Sequence, residues 1–362
     1  MLNLHILYEH SIDLRPHGSG HIRLLRPLTH PANQTAFKVS SGIRYEAADV
    51  IVVERVWQPG MTLRLAEEVV ERARKDEACF IYTIDDNLLD LRVGGPVRLG
   101  FTTEEMMVVR YFAREADAII VSTEALKNRM TRFNKKVVVV PNALDERIIE
   151  GIVSRRKHPS PGNGRKIIGY MGTLTHDADL MMILQALRDV LRRHRDVLGL
   201  EFVGGVADPA VIQAFHGLPV RVLDVRNNIE YPAFMRWMAE NARWDLGIAP
   251  LEDDPFTRCK SDIKFLDYSA LGIAGIYSRV SAYENTVSHR QTGYLADNYT
   301  EDWVEAFQCM LSDDSLRQDI ARQAQDYVFS TRTLEHCAKN WRNAVLGIAQ
   351  DQNTISDSHK CH

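Results

Sequence analysis

Three cations lie close together in residues 258–272, which read Arg-Cys-Lys-Ser-Asp-Ile-Lys-Phe-Leu-Asp-Tyr-Ser-Ala-Leu-Gly. Arg258, Lys260 and Lys264 fall just before and inside the first turn of a predicted helix. Ser261 is the expected N-cap of that helix. Free backbone N–H groups, the positive end of the helix dipole and the lysine charges all attract an anion. The pattern is therefore typical of a site for a diphosphate.

Asp267 follows Lys264 by three residues, so both side chains project from one face of the predicted helix. Gly272 is the expected C-terminal stop of the same helix. One face could then hold a phosphate and a ribose. The alternative is a surface salt bridge on an ordinary amphipathic helix, and this stretch by itself leaves both interpretations open.

Polar residues also follow two predicted strands in the first half of the chain. Ligands of open α/β sheets bind beyond the carboxyl ends of the strands, and glycines let the backbone approach a ligand closely. The alternative for the glycine segment is a plain loop, and the alternative for the acidic residues is helix capping. The candidate residues are Gly18, Ser19, Gly20, His21, Arg23, Asp85 and Asp86.

A strand, a glycine turn and a helix start recur early in the second half. Gly172, Thr173 and His176 lie in that turn, which indicates a second pocket for a polar ligand. Asp177 and Asp179 match Asp-x-Asp literally, but their place at a helix start favours capping over metal binding.

The composition describes an ordinary globular protein. The chain has 362 residues, 45% hydrophobic and 25% charged, with a net charge of −4, and its length suggests two domains. It lacks the basic bias of nucleic-acid binders. Five scattered cysteines indicate neither a disulfide framework nor a CxxC metal site. No signal peptide or membrane span is evident, so we expect a cytoplasmic protein.

Short β-branched runs alternate with helical periodicity, which predicts parallel α/β layers. We predict a first Rossmann-like domain at 1–153, a linker at 154–166 and a second Rossmann-like domain at 167–333. A helix at 334–350 follows, and residues 351–362 are expected to be disordered. The predicted strands are 2–8, 50–56, 79–84, 118–122, 137–140, 167–170, 200–203, 221–223, 246–249 and 275–278.

The order of these landmarks resembles the retaining GT-B glycosyltransferases, particularly the GT4-like, group 1 type of bacterial surface polysaccharide synthesis. The resemblance spans nearly the whole chain. It rests on the glycine segment after the first strand, Val-Val-Pro-Asn-Ala-Leu-Asp at 139–145, Gly-Tyr-Met-Gly-Thr at 169–173, Trp-Asp-Leu-Gly-Ile-Ala-Pro-Leu at 244–251, residues 260–272, and Thr-Gly-Tyr-Leu at 292–295.

The resemblance implies two Rossmann-like domains facing across a cleft, with the 334–350 helix crossing back to the first domain. The first domain would bind the acceptor and the second the nucleotide-sugar donor. Lys264 and Arg258 would carry the catalysis by neutralising the donor diphosphate and the leaving phosphate. The donor-binding residues would be Gly172, Thr173, His176, Lys260, Ser261 and Asp267. The acceptor-binding residues would be Gly18, Ser19, Gly20, His21, Arg23, Asp85 and Asp86.

The chain departs from the family pattern in three places. Asp267 stands at the second glutamate of the E-x7-E motif, which contacts the ribose in the family. Cys259 stands at the first, where it cannot replace an acid that normally lies near the donor sugar. The Lys-Gly signature after the first strand of the second domain is also missing.

We therefore expect a retaining, metal-independent glycosyltransferase with no cofactor, in polysaccharide or glycoconjugate biosynthesis. Its partners would be a nucleoside diphosphate sugar and a glycan, lipid-linked or small-molecule acceptor. No nucleic-acid partner is expected, and membrane contact would be peripheral. A catalytically weak subunit that binds a nucleotide-sugar or a partner transferase is one alternative. A nucleotide-sugar epimerase or hydrolase on the same fold is another.

Overall fold

The computed structural model describes residues 1–90, 101–152, 164–173, 177–204 and 209–360, with side chains up to residue 352. These residues form two sheets of six strands each. The first sheet contains β1 (Leu2–Leu7), β2 (Phe37–Gly42), β3 (Val50–Glu54), β4 (Cys79–Ile84), β5 (Ala118–Val121) and β6 (Val137–Val139). The second contains β7 (Lys166–Gly172), β8 (Leu198–Gly204), β9 (Val220–Leu223), β10 (Leu246–Ala249), β11 (Ala274–Ser278) and β12 (Tyr294–Ala296).

All strand pairs in both sheets are parallel. The strand orders are β2-β1-β3-β4-β5-β6 and β12-β11-β10-β7-β8-β9. The central strands are buried on both faces, as continuous apolar runs such as Val-Ile-Val-Val in β3 require. This arrangement confirms the predicted α/β class with two Rossmann-like sheets.

The sequence did not predict two strands, β2 and β12, each at an edge of its sheet. β2 reads Phe-Lys-Val-Ser-Ser-Gly and is half exposed, whereas β12 has only three residues. Edge strands need few apolar residues and are often short, so neither gives a strong hydrophobic pattern.

Helices connect the strands and cover both faces of the sheets. The helices are α1 (Arg26–Leu28), α2 (Leu63–Lys75), α3 (Thr103–Glu115), α4 (Glu124–Met130), α5 (Asp177–Met182), α6 (Leu184–Arg193), α7 (Pro209–Gln213), α8 (Tyr231–Asn241), α9 (Ile263–Ala270), α10 (Ser281–Glu284), α11 (Thr300–Ser312), α12 (Asp314–Thr331) and α13 (Leu334–Lys360). None of the described helices is long and apolar enough to span a membrane.

The last helix, α13, packs on the first sheet. Trp341, Val345 and Ile348 belong to one buried apolar cluster with Leu4 and Ile6 of β1. Apolar residues three and four positions apart form the face that is buried in this contact. The chain thus returns to the first sheet after completing the second.

The two chain crossings between the sheets run side by side. The amide of Leu144 donates to the carbonyl of Arg332 at 2.8 Å, and the amide of Leu334 donates to the carbonyl of Leu144 at 2.7 Å. The Arg332 guanidinium also donates two hydrogen bonds to the Asp262 carboxylate and one to the carbonyl of Asn142. Arg332 therefore ties both crossings to the start of α9.

Three local features differ from the sequence predictions. Residues 18–28 form a helical segment, with π-type geometry over Gly20–Leu25, rather than a loop. The helix α13 continues to Lys360 although disorder was expected from 351, because no glycine or proline follows Gly347. The predicted linker 154–166 lies mostly outside the described residues, and its last residue, Lys166, begins β7.

Candidate functional site

Lys264 lies buried in the first turns of α9 and is 8% exposed. Its Nζ lies 4.9 Å from the centroid of the Tyr170 ring, a cation–π contact with the carboxyl half of β7. Burial lowers the pKa of Lys264 to about 8, with Lys260 adding to the decrease and nearby Asp179 opposing it. No hydrogen-bond or ion-pair partner for Lys264 occurs among the described residues, so its charge is available to a ligand.

The glycine turn at the end of β7 packs against the same tyrosine, Tyr170, so it lies near this lysine. A Cβ on Gly172 would lie 2.8 Å from the Tyr170 hydroxyl oxygen, so this close approach requires glycine. Thr173 is exposed next to it, whereas predicted His176 lies outside the described residues. α9 thus brings the Lys264 cation close to the turn at which the Lys-Gly signature is missing from the sequence.

Asp177 and Asp179 are both buried, and the Asp179 carboxylate accepts a hydrogen bond from the amide of Glu252 at 2.7 Å. This bond holds the start of α5 against the loop that follows β10. Within the described residues, no group of three or more His, Cys, Asp and Glu side chains could hold a metal ion.

Asp267 is 4% exposed on the same helix as Lys264 and accepts a hydrogen bond from the Tyr231 hydroxyl at 2.7 Å. Burial raises the pKa of Asp267 to about 7, although the Tyr231 bond opposes the change. The sequence did not identify Tyr231, the first residue of α8. Tyr231 is separated from Asp267 by 36 positions, so no local pattern could have indicated this pair.

Lys260 reaches across to the first domain. Its Nζ lies 3.2 Å from the Asp86 carboxylate and 4.6 Å from the centroid of the Phe256 ring. Lys260 was predicted to bind the donor, but in this structure its charge is paired with an acid of the opposite domain. Lys260 and Asp86 therefore meet where the two domains face each other.

Ser261 does not cap α9, because Asp262 occupies the N-cap position and neither residue caps it through a side-chain hydrogen bond. Instead, the Ser261 hydroxyl accepts a hydrogen bond from the Asn142 side-chain amide at 2.8 Å. The Asp262 carboxylate accepts a hydrogen bond from Arg332, in the contact between the chain crossings. The helix start is thus positioned by the first domain.

Arg258 is not brought beside Lys264. Its side chain is 57% exposed and forms two hydrogen bonds with the Asp253 carboxylate, at 2.7 and 2.9 Å. Asp253 raises the pKa of Arg258. Arg258 would have to leave this surface ion pair to act on a ligand next to Lys264.

Cys259 is 3% exposed and packs in the main apolar cluster of the first domain. The Thr123 hydroxyl donates to the Cys259 carbonyl at 2.9 Å, and the Asn87 amide donates to the Pro255 carbonyl at 3.1 Å. An apolar side chain suits this position. Cys259 is therefore a contact between the domains rather than a substitute for an acid.

On the first-domain side, His21 faces the second domain, with Nε2 3.3 Å from the Glu230 carboxylate. Burial lowers the pKa of His21, although Glu230 opposes the change. Gly18 and Ser19 precede it, exposed and partly buried respectively. A Cβ on Gly20 would lie 3.0 Å from a Glu54 carboxylate oxygen, so this helical segment packs closely against the end of β3.

Arg23 cannot face an acceptor as predicted, because it is 1% exposed. Its guanidinium lies 4.9 Å from the Trp341 ring centroid and donates hydrogen bonds to the Val140 carbonyl and the Asn142 side chain. Burial lowers the pKa of Arg23 to about 10. Arg23 thus supports the contact of α13 with the first sheet.

Asp85 and Asp86 do lie at the carboxyl ends of the strands, with side chains 20% and 23% exposed. Both aspartates lie near the Arg55 guanidinium. The Glu9 carboxylate lies 3.1 Å from the same guanidinium. Glu9, Glu54 and Arg55 were not predicted. Each follows or ends a strand, so the rule that identified Asp85 could have found them.

Comparisons with known proteins agree with this architecture. Residues 165–313 match the family model described as glycosyl transferases group 1. No curated protein matches the chain in sequence.

Solved structures with the same fold include sucrose-phosphate synthase from Thermosynechococcus elongatus, with a TM-score of 0.67, 13% identity and 100% of both chains covered. They also include HepE of Anabaena in complex with UDP and glucose (TM-score 0.66, 13% identity, 96% and 100% covered) and a glycosyltransferase from Rickettsia africae (TM-score 0.61, 12% identity, 97% and 98% covered). The chain therefore has the GT-B fold.

Proposed function

We propose that this chain, which has the GT-B fold and a glycosyl transferases group 1 domain at residues 165–313, is a retaining glycosyltransferase. It transfers a sugar from a nucleoside diphosphate sugar to an acceptor hydroxyl, in polysaccharide or glycoconjugate biosynthesis. The observation that carries the proposal is Lys264, a buried cation without an ion-pair partner among the described residues, near the glycine turn at the end of β7.

The proposed chemistry breaks the bond between the anomeric carbon and the diphosphate and forms one to the acceptor oxygen on the same face of the sugar. Negative charge grows on the departing phosphate, and the acceptor proton ends on that phosphate. Lys264 stabilises this charge from a site that needs little reorganisation. Asp267, held by Tyr231, is the proposed contact for the ribose.

The proposal includes independence of a divalent metal, because Lys264 supplies positive charge where the leaving group would lie. Lys260 adds a second cation when its pair with Asp86 opens. If a chelator abolished activity and Mg²⁺ restored it, Asp177 and Asp179 would be the first ligands to test.

The test is incubation of the purified chain with a panel of nucleoside diphosphate sugars, with and without glycan, lipid-linked and small-molecule acceptors, in the presence and absence of EDTA. We expect acceptor-dependent release of a nucleoside diphosphate in both conditions, and an α-configured product from an α-configured donor. Conversion of the donor without acceptor would instead identify an epimerase or hydrolase. Binding without turnover would identify a catalytically weak subunit.

A further inference from the structure

Four carboxyl groups meet at the carboxyl edge of the first sheet, in the region proposed to bind the acceptor. Glu9 follows β1, Glu54 ends β3, and Asp85 and Asp86 follow β4. They surround the Arg55 guanidinium, which lies 3.1 Å from Glu9, 3.8 Å from Asp85 and 3.6 Å from Asp86. This group of residues is called the acidic edge below.

Among the described residues, the cations at the acidic edge already have carboxylate partners. Arg55 contacts three of the carboxylates, and Lys260 contacts Asp86 at 3.2 Å. Arg23 is 1% exposed beneath Trp341, so a ligand cannot reach it. Within the part of the chain that the structure describes, an anionic group entering this region would therefore face carboxylates and meet no unpaired cation.

Four buried polar atoms at the acidic edge or beside it, on Glu9, Glu54, Arg55 and Tyr82, have no hydrogen-bond partner among the described residues. One oxygen of Glu54 and the hydroxyl of Tyr82 have no hydrogen-bond partner among the described residues, and the two side chains are 2% and 0% exposed. The other Glu54 oxygen accepts a hydrogen bond from the Glu9 amide at 2.8 Å. Buried polar groups normally have partners, but a ligand cannot reach side chains that are 2% and 0% exposed, so ligand hydroxyls would bind the partly exposed carboxylates of Asp85 and Asp86.

The protonation of Glu54 fits the same interpretation. Burial, with the neighbouring Glu9 and Asp85 charges, raises the pKa of Glu54 to about 8. At neutral pH the Glu54 carboxyl is therefore mostly protonated and can both donate and accept a hydrogen bond. With Glu54 neutral, the carboxylates of Glu9, Asp85 and Asp86 remain beside Arg55 and Lys260, so the described residues leave no positive charge in excess at this edge.

We infer that the acidic edge selects an acceptor that is an uncharged, polyhydroxylated sugar or polyol and excludes one that carries a phosphate near the reacting hydroxyl. The inference rests on the proposed function and specifies the substrate class of its acceptor site. Selectivity here comes from carboxylates that repel the wrong ligand as well as from groups that bind the right one.

The test compares matched acceptor probes on the full chain with the donor identified by the nucleotide-sugar panel. The pairs are glucose with glucose 6-phosphate, mannose with mannose 6-phosphate, and glycerol with glycerol 3-phosphate. Transfer is followed by nucleoside diphosphate release. Binding to the chain saturated with nucleoside diphosphate is measured by ligand-observed NMR, which needs no turnover.

We expect the uncharged member of a pair to be bound or used on the order of tenfold better than its phosphate, because the phosphate must approach carboxylates. The variant D85N/D86N removes the Asp86 partner of Lys260 and two of the three carboxylate partners of Arg55, so it should shift this ratio about tenfold towards the phosphate. Glu71→Gln, which neutralises an exposed acid of α2, should leave the ratio unchanged. Thermal unfolding of each variant checks that the fold is intact.

A wild-type preference for the phosphorylated probes would overturn the inference, as would an unchanged ratio in D85N/D86N or failure to bind any uncharged probe. Failure of the proposed function is distinct, because the chain would then neither bind a nucleoside diphosphate nor transfer a sugar. A chain that binds the nucleotide and prefers phosphates would disprove this inference alone.

Discussion

Lys264 is an unusual residue because it combines deep burial with a charge that no described carboxylate contacts directly. The Tyr170 ring offers it a cation–π contact, which is a weak replacement for the water it has lost. Such a lysine is costly for folding, and the proposed diphosphate would remove that cost. Perturbed lysines of this kind are typical of functional sites.

The first prediction is that binding of a nucleoside diphosphate above pH 8 is accompanied by uptake of protons by the protein. The pKa of Lys264 is about 8 without ligand, so the free protein loses this proton as the pH rises. The bound diphosphate favours the ammonium form of Lys264, so the complex takes up the proton that the free protein has lost. Calorimetry at pH 8.5 in buffers of different ionisation enthalpy measures the uptake. Below pH 7 the uptake should vanish.

Lys264→Met should abolish this uptake and weaken binding. Glu54 has a similar pKa, so Glu54→Gln is the matched control and should retain the uptake. Uptake that persists in Lys264→Met would assign the proton to another group.

A second prediction concerns Asp267, whose pKa is raised to about 7 from an ordinary 3.8. The folded state binds this proton more tightly than the unfolded state, so the stabilising contribution is complete below about pH 4 and is lost as the pH rises through 7. Asp267→Asn keeps an acceptor for Tyr231 but does not titrate. From pH 5 to pH 8, the variant should gain about 2 kcal/mol of unfolding free energy relative to wild type.

Urea unfolding at several pH values measures this difference, and Tyr231→Phe controls for loss of the hydrogen bond. Parallel pH profiles for wild type and Asp267→Asn would show that Asp267 ionises normally in the folded protein. Nucleoside diphosphate binding should weaken in Asp267→Asn if the carboxylate contacts the ribose.

At the scale of elements, the loop from Pro255 to Lys260 determines how the domains meet. Its backbone carbonyls accept hydrogen bonds from Asn87 and Thr123, and Cys259 enters the apolar cluster of the first domain. The α9 helix starts directly after this loop. The position of Lys264 is therefore coupled to the contact between the domains.

We predict that Cys259→Glu, which restores the residue of the E-x7-E motif, impairs the protein. A carboxylate would be buried among apolar side chains, and the nearby cation, Arg129, is already paired with Asp90, so the cost would be about 2–5 kcal/mol or a strongly raised pKa. Thermal unfolding and transfer assays measure the effect, with Cys259→Ser as the mild control. Enhanced transfer by Cys259→Glu would show that the loop can turn its side chain towards the donor sugar.

The elements themselves were largely predictable. Continuous apolar runs gave the central strands, and apolar residues at three- and four-residue spacing mark α2, α3 and α12 in the sequence. Gly272 ends α9 with a φ of +67°, as its position after the helix indicated. The predicted N-cap of α9 was wrong because the Ser261 hydroxyl accepts a hydrogen bond from Asn142. These residues are 119 positions apart, so local sequence cannot reveal the contact.

The positions of the candidate site residues were predictable where the signal was local, as for Asp85 and Asp86, which lie at the end of β4 as expected. They were missed or misassigned where a long-range contact decides the role of the side chain. Arg23 is buried under Trp341 of a helix more than 300 positions later, and Arg258 finds Asp253 on the surface. No sequence pattern indicates that Tyr231 contacts Asp267.

For the whole molecule, the two crossings at Leu144 and Arg332 are the covalent links between domains, and α13 anchors the second crossing to the first sheet. Adjacent crossings of this kind suit a hinge that closes the cleft and excludes water from the donor. Arg332 holds both crossings together through Asp262 and Asn142.

Truncation before Leu334 should therefore expose apolar surface of the first sheet and impair transfer without removing a proposed donor contact. Dye binding, size-exclusion chromatography and nucleotide affinity measure these effects. Truncation after Gln352 removes only the last ten residues and is the control. A chain ending at Thr333 that stays monodisperse and fully active would show that α13 is not needed as a brace.

The proposal that Lys264 stabilises the leaving diphosphate is tested by the single-turnover transfer rate of Lys264→Ala, measured with the donor found in the panel. We expect the rate to fall on the order of 10²–10³-fold with the fold intact, because a preorganised charge is removed from a developing oxyanion. Arg258→Ala, which breaks an exposed ion pair, should lose much less. An unchanged rate in Lys264→Ala would show that Lys264 does not stabilise the leaving diphosphate.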